Sequence, residues 1–321
     1  MSASAAFFEA NPPELLISLG GTGGFAPGLP LLGGSGVEDL FGAAAFAGRA
    51  GEFSLYKAGP WLLGATTVAV GSELEETTRR LYENIFQVCQ GWHLARIWNY
   101  VPAINAVGSG GLENYQAFCR GRSLAFERHF GPEFTHQLPA ASAVGCQPGC
   151  LTIVFAASQG TLGHRESPLQ VSAYDYPAEF GPRAPSFARA TVVPAPGGHT
   201  VFISGTAAIR GHATVAPLNT AEQLDCTLVN LAGIARVCGL GPDLDRRGGS
   251  KRHFKVYLRH AADHPLAADF LSQRLLIDAD RVTYLQAEIC RSSLLVEIEA
   301  TLFGVTRLRP DLMGSASSFL L

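Results

Sequence analysis

The sequence predicts an α+β chain of two similar halves, each a mixed sheet packed by helices. Three observations predict it. Short apolar runs bounded by turn residues alternate with a few stretches of clear helical periodicity. The order strand–helix–strand–helix–strand–strand occurs twice. The repeat keeps a nearly constant offset, with the first long helices starting at Ser72 and Thr220 and the closing strand pairs meeting near Cys146 and Cys290. A length of 321 residues agrees with two domains. The expected division is 1–165 and 166–321, across a Pro/Tyr/Arg-rich link at residues 165–190.

The first 60 residues are rich in Gly and Pro (SLGGTGGFAPGLPLLGGSG) and read as strands joined by turns. These glycines match neither a dinucleotide fingerprint nor a Walker loop, and no strand–turn–helix context surrounds them. Ser72 and Glu75 form an expected capping box for a helix through Leu74, Leu81, Ile85, Val88 and Cys89, closed by Gly91. HLARIWNYVPAI reads as a strand, and ENYQAFCRGRSLAFERHF as a helix stopped by Gly131-Pro132. ASAVGC and CLTIVFAAS flank Gln147-Pro148-Gly149 and read as a hairpin. In the second half HTVFISGTAAI is a strand, and Thr220 and Gln223 cap a helix ending at Gly239. KVYLRH is a strand and residues 265–275 a short helix. RVTYLQAEIC and LLVEIEATLFG form a second expected hairpin around Arg291-Ser292-Ser293, and the tail SASSFLL is expected to fray.

Composition narrows the function. Charged residues are 16%, below the roughly 25% usual in soluble domains, while 47% apolar residues are enough for substantial cores. A net charge of −3 and a pI near 6.3 give no basic footprint for nucleic acid. The lysines are Lys57, Lys251 and Lys255, a skew that reads as compositional bias. No apolar run is long enough for a membrane-spanning helix, and MSASAAFFEANPPELL lacks the basic and apolar regions of a secretory signal. Seven cysteines at irregular spacing fit reduced thiols, so a cytoplasmic location is expected. No HxH or HxxxH pair occurs, CQPGC lacks a partner pair, and the Gly-x-Ser-x-Gly look-alikes lack a strand-to-helix elbow. Neither a metal site nor a hydrolase triad is expected.

Three groups of residues could carry chemistry. Alternation in LLVEIEA puts Leu295, Glu297 and Glu299 on one strand face, with Val296 and Ile298 on the other. Either that face meets solvent, or Glu297 is buried and kept protonated, as a general acid requires. Cys290, on the neighbouring strand of the expected hairpin, could approach Glu297 or simply be a small buried hydrophobe. Tyr115, Phe118, Cys119 and Arg122 follow i, i+3, i+4, i+7 spacing, so Arg122 either grips a planar anion or snorkels to the helix rim. Tyr174, Tyr176, Arg183 and Arg189 lie in the link SAYDYPAEFGPRAPSFARA, where they suit an aromatic or carboxylated ligand or pin the linker.

These segments carry a family resemblance. Residues 181–304 resemble the Rid (YjgF-type, chorismate-mutase-like) fold: GPRAPSFARA its opening, TVFISGTAAI its first core strand, KVYLRH its middle strand, and LLVEIEATLFG its terminal strand. In plain Rid deaminases an arginine on the preceding strand grips the substrate carboxylate, and Tyr284 stands at that position here. The chain as a whole resembles the chorismatases through LARIWNYVPAIN, GLENYQAFCRGRSLAF, QVSAYDYPAEFGPRAPSFARAT, FISGTAAIRGH and ICRSSLLVEIEA. The resemblance places the catalytic acid at Glu297 and substrate-binding Tyr/Arg pairs at Tyr115/Arg122 and Tyr176/Arg189. The first half is then a degenerate copy, with about Ile153 where the second has Glu297.

The implied substrate is chorismate, a dicarboxylate with an enol ether, and no cofactor or metal is implied. The neutral acid would protonate the enolpyruvyl methylene and pyruvate would leave. One chorismatase subfamily completes a hydrolysis to a dihydroxycyclohexadiene carboxylate. Another lets the neighbouring ring hydroxyl displace pyruvate, giving an arene oxide and then 3-hydroxybenzoate. The second kind is similar to this chain in having Gly at 205 and Cys at 290. A subfamily forming 3- and 4-hydroxybenzoate together, a Rid-type imine deaminase and a non-catalytic Rid-fold binding protein are the other readings. Monomer and trimer both remain open.

Overall fold

The computed structural model describes residues 13–20, 24–42 and 44–309. The expected fraying of SASSFLL and most of the N-terminal leader reading lie outside them. The chain begins with β1 (Leu16–Ser18), β2 (Gly24–Phe25), β3 (Leu31–Gly34) and β4 (Val37–Glu38). The first half follows as β5 (Ala45–Ala50), β6 (Phe53–Ala58), β7 (Trp61–Ala69), α1 (Leu74–Val88), β8 (His93–Pro102), α2 (Asn114–Phe130), β9 (Ala140–Cys146) and β10 (Cys150–Ser158). The second comprises β11 (Gly163–Arg165), β12 (Ala190–Ala195), β13 (Gly198–Ala207), β14 (Ile209–Arg210), β15 (Ala213–Thr214), α3 (Thr220–Val237), β16 (Lys251–Leu258), α4 (His264–Arg274), β17 (Arg281–Gln286) and β18 (Val296–Val305).

The predicted duplication is visible in the strand order. The first sheet runs β5-β6-β7-β10-β8-β9 and the second β11-β12-β13-β18-β16-β17, with β3 added at its far edge. In both, the strand after the second helix pairs parallel with the strand before it, and the last strand inserts antiparallel into the middle. The expected division at 165/166 does not follow the sheets, because β11 and β3 both belong to the second one.

Neither expected hairpin forms. β8 lies between β9 and β10, and β16 between β17 and β18. A three-residue link suffices for the first crossing, since it needs to span only two strand spacings of about 4.8 Å each. Cys290 therefore sits in the connection before β18 rather than on a strand. Two caps also move. α1 starts at Leu74 with Glu73 at its N-cap and no side-chain cap, so Ser72 does not serve there. Asn219 caps α3 by accepting from Glu222 N, while Thr220 Oγ1 donates to Asp263.

Each half buries its helices against one sheet face. Leu81, Ile85, Phe118 and Phe126 pack on Ile97, Ile153 and Phe155 in the first half. Leu224, Leu231 and Ile234 pack on Val256, Val296 and Ile298 in the second. The opposite sheet faces meet in a third core, with Trp61, Trp98, Val154 and Ala156 facing Phe202, Tyr257 and Leu285, and Leu15, Ile17 and Leu29 joining from the N-terminal segment. This layering decides the face of LLVEIEA: with Val296 and Ile298 against the helices, Glu297 and Glu299 point between the sheets, 4% and 3% exposed. The solvent-facing alternative fails because a second sheet covers that face. Ile153 points to the helix side, so it cannot stand in for Glu297; the β10 residues in the core between the sheets are Val154 and Ala156.

Candidate active site

A cavity of about 180 Å³ opens where the edge of the first sheet meets the second half. It is lined from α2 by Tyr115, Cys119 and Arg122, and from β9 by Ser142. The 176–189 link supplies Tyr176, Phe180 and Arg189. Gly205, Cys290, Arg291 and Glu297 complete it from the second half.

The junction is tied at the β9 edge by hydrogen bonds from backbone N–H groups to a carbonyl and two side-chain hydroxyls. Ala188 N donates to Pro139 O (3.1 Å), Ala140 N to Thr191 Oγ1 (2.9 Å) and Ala141 N to Ser204 Oγ (2.9 Å). Ser204 Oγ in turn donates to Ala188 O (2.6 Å). The β13–β18 register breaks between Ile203 and Thr206, a bulge at the Ser204-Gly205 step. Gly205 lies directly against the carboxyl: a Cβ there would stand 2.0 Å from Glu297 Oε1 and 3.1 Å from Ser142 Cβ. The missing side chain makes the seat for Glu297.

Burial, chiefly, and the nearby charge of Glu299 push the Glu297 carboxyl up to about 8, against partial opposition from Arg96 and Arg189. Glu297 is thus a neutral carboxylic acid at pH 7. Cys290 lines the same cavity, and burial with the Glu297 charge pushes its thiol up to about 12, so it remains an S–H group.

The two Tyr/Arg pairs also meet at the cavity. Arg122 is 2% exposed, its guanidinium 5.2 Å from the Tyr82 ring, and among the described residues its Nε and Nη2 have no hydrogen-bond partner. A buried, unpaired guanidinium beside a cavity is costly unless an anion completes it. Tyr115 stands one helical turn before Cys119 on the same lining face, its hydroxyl held well above its ordinary value by burial. Arg189, 3% exposed, donates to Tyr176 Oη (2.9 Å) and Val171 O (3.1 Å), and its Nε has no partner among the described residues.

Three expected site residues do not line this cavity. Arg183 is half-exposed and paired with Glu127 at 2.7 Å. Tyr174 packs against the helix-side core of the first half. Tyr284 is buried in the helix-side core of the second half, edge-on to His264 at 4.8 Å. Alternation on β17 turns Tyr284 away from the site.

The sequence reading missed Arg291, whose guanidinium lies 4.0 Å from the centre of the Phe180 ring and donates to His212 O (2.7 Å), leaving a buried Nη2 without a partner among the described residues. It also missed the ionic group behind the acid. Glu299 accepts from Arg96 (2.8 Å), Trp98 Nε1 (2.7 Å), Ser142 Oγ (2.6 Å) and Tyr257 Oη (3.1 Å), and Lys255 lies 3.0 Å away. The available signal was an ionic residue inside an apolar strand: Arg96 in LARIWNYV and Lys255 in KVYLRH.

Comparison with known proteins agrees with this architecture. The family model for the N-terminal part of FkbO/Hyg5-like chorismatases matches residues 41–157. A 3-hydroxybenzoate synthase from Streptomyces hygroscopicus is 36% identical over 256 residues, covering 75% of this chain and 73% of its own. The chain belongs to the chorismatase family. A chorismatase from Streptomyces rapamycinicus is 37% identical over 249 residues, 74% of this chain and 73% of its own. A chorismatase crystal structure superposes with a TM-score of 0.74 at 28% identity, covering 93% of this chain and 95% of that one. The protein is accordingly an enzyme of two tandem α+β halves. Among the described residues no helix is long and apolar enough to cross a membrane, and no cluster of ligating side chains could hold a metal.

Proposed function

We propose that this chorismatase converts chorismate to 3-hydroxybenzoate and pyruvate. The observation that carries the reading is a buried Glu297 in a cavity flanked by two arginines whose guanidinium nitrogens lack partners among the described residues, and burial raises the Glu297 carboxyl toward its neutral form. Arg122 with Tyr115 and Arg189 with Tyr176 take the two substrate carboxylates. These grips leave the enol ether beside Glu297.

Glu297 gives its proton to the methylene carbon and leaves an oxocarbenium ion at the ether carbon. The neighbouring ring hydroxyl then attacks the ring carbon bearing the ether. That C–O bond breaks, pyruvate departs with the ether oxygen, and an arene oxide forms. The hydroxyl proton lost in the attack restores Glu297, so atoms balance without water. Opening of the arene oxide gives 3-hydroxybenzoate.

Gly205 supports this branch, because it lets Glu297 seat directly against β13. Cys290, an uncharged thiol in the same cavity, stands where it can steer the intermediate. The closeness of a curated 3-hydroxybenzoate synthase supports the same product. The test of the acid is Glu297→Gln followed by ultraviolet loss of chorismate. Turnover should fall by about 10²–10⁴-fold with the fold intact. Near wild-type turnover would remove Glu297 from the mechanism.

A further inference from the structure

Behind the acid lies a charged cluster that the proposed chemistry does not use. Glu299 shares the face of β18 with Glu297 and is held by groups from three other strands: Arg96 and Trp98 of β8, Ser142 of β9, and Lys255 and Tyr257 of β16. Lys255 also pairs with Glu38 of β4 at 2.9 Å and donates to Tyr100 Oη at 3.2 Å. Of this group Ser142 reaches the cavity, where its Cβ faces Gly205.

We propose that Glu299 is a positioning residue for the acid: anchored as a fixed anion by Lys255, Arg96, Trp98, Ser142 and Tyr257, it holds Glu297 in its proton-donating form. This rests on the reading of Glu297 as the general acid. The polar groups that face Glu297 are Glu299 on its own strand, Tyr257 beside it on β16, Arg96 from β8, Ser142 from β9, Arg189 before β12, Tyr115 and Arg122 from α2, and Cys290 and Arg291 in the loop before β18. Of these, Glu299 supplies the negative charge, while Arg96 and Arg189 oppose it.

Glu299 can supply that charge only while it stays ionised in a buried place. Burial favours its neutral form, and Lys255, Arg96 and the Ser142 hydrogen bond outweigh burial, holding it at about 2. The two carboxyls are driven apart by environment, one fixed as an anion and one kept protonated, which is a pattern of acid assignment. Two same-face residues on one strand stand about 7 Å apart, and at an effective dielectric near 20 one charge moves the other's titration by about one to two pH units.

The experiment is the pH profile of kcat for wild type, Glu299→Gln and Glu299→Asp, with Glu297→Gln as reference. The wild-type rate should fall as pH rises through about 8. In Glu299→Gln that limb should move down by about one to two units with KM little changed, and Glu299→Asp should restore it. A limb that stays in place in Glu299→Gln, with Glu297→Gln inactive, overturns this inference alone. An active Glu297→Gln overturns the reading beneath it. If Glu299→Gln does not fold, infrared difference spectra of the wild type decide, the Glu297 band being identified by its loss in Glu297→Gln. The Glu299 band, identified by its shift in Glu299→Asp, then separates the outcomes: an ionised Glu299 beside a protonated Glu297 supports the proposal, a protonated Glu299 overturns this inference alone, and an ionised Glu297 overturns the reading beneath it.

Discussion

Gly205→Ala is the perturbation whose consequence follows most directly from the geometry. The new methyl carbon would lie 2.0 Å from Glu297 Oε1 and 2.7 Å from its Cδ. Normal carbon–oxygen contact needs well over 3 Å, so the carboxyl must retreat by roughly 1 Å or more. Ser142 Cβ, at 3.1 Å from the added carbon, tightens the other side. A displacement of that size at a reacting group costs about 10²-fold, or about 2.7 kcal/mol of barrier. The atoms nearest this carbon belong to Glu297 and Ser142 rather than to the arginine grips, so kcat should fall by about that factor while KM stays within about threefold. The same retreat opens space beside the intermediate, so a share of the product should become the non-aromatic diol, more so with Cys290→Ala. The assay is ultraviolet loss of chorismate, with chromatography of the ring products. A variant with wild-type kcat and only aromatic product would refute the argument that Gly205 seats the acid.

Arg122→Ala and Arg189→Ala should each raise KM for chorismate by about 10-fold or more, since a buried carboxylate loses a charge-assisted partner worth about 1.5–3 kcal/mol; KM unchanged in both would misplace the anion sites. Stability should also depend on Glu297. Its folded-state value of about 8 lies above the ordinary 4.5, so the native state binds the extra proton between those limits, and stability is lost as pH rises from about 4.5 to about 8. Glu297→Gln should therefore gain several kcal/mol relative to wild type across that window, read as thermal midpoints at pH 5 and pH 9. An unchanged difference between the two pH values would mean that Glu297 is ionised at neutral pH.

Much of this was legible in the sequence because it is local. The spacing of Leu81, Ile85, Phe118 and Arg122 defines helices and their inner faces, and the alternation of LLVEIEA separates its glutamates from Val296 and Ile298. Alternation distinguishes two faces without saying which meets water; that depends on the second sheet lying over Glu297. Strand order was misread for a related reason. Gln147-Pro148-Gly149 is as compatible with stepping across β8 as with a tight hairpin, and only pairing far along the chain decides. The Glu299 cluster brings together positions 38, 96, 142, 255 and 299, so no window of sequence contains it. Tyr284 was misplaced by carrying over a position whose residue turns into the helix-side core.

If the ring hydroxyl and not water completes the reaction, the fate of solvent oxygen reveals it. Chorismate should be turned over in water enriched in heavy oxygen, with pyruvate trapped at once as lactate by a coupled dehydrogenase to prevent exchange. Internal displacement sends the ether oxygen out with pyruvate, so 3-hydroxybenzoate as the main ring product and unlabelled lactate are expected. Hydrolysis at the oxocarbenium carbon would place solvent oxygen in the pyruvate carbonyl, and labelled lactate accompanied by the diol would mean that water, not the ring hydroxyl, completes the reaction.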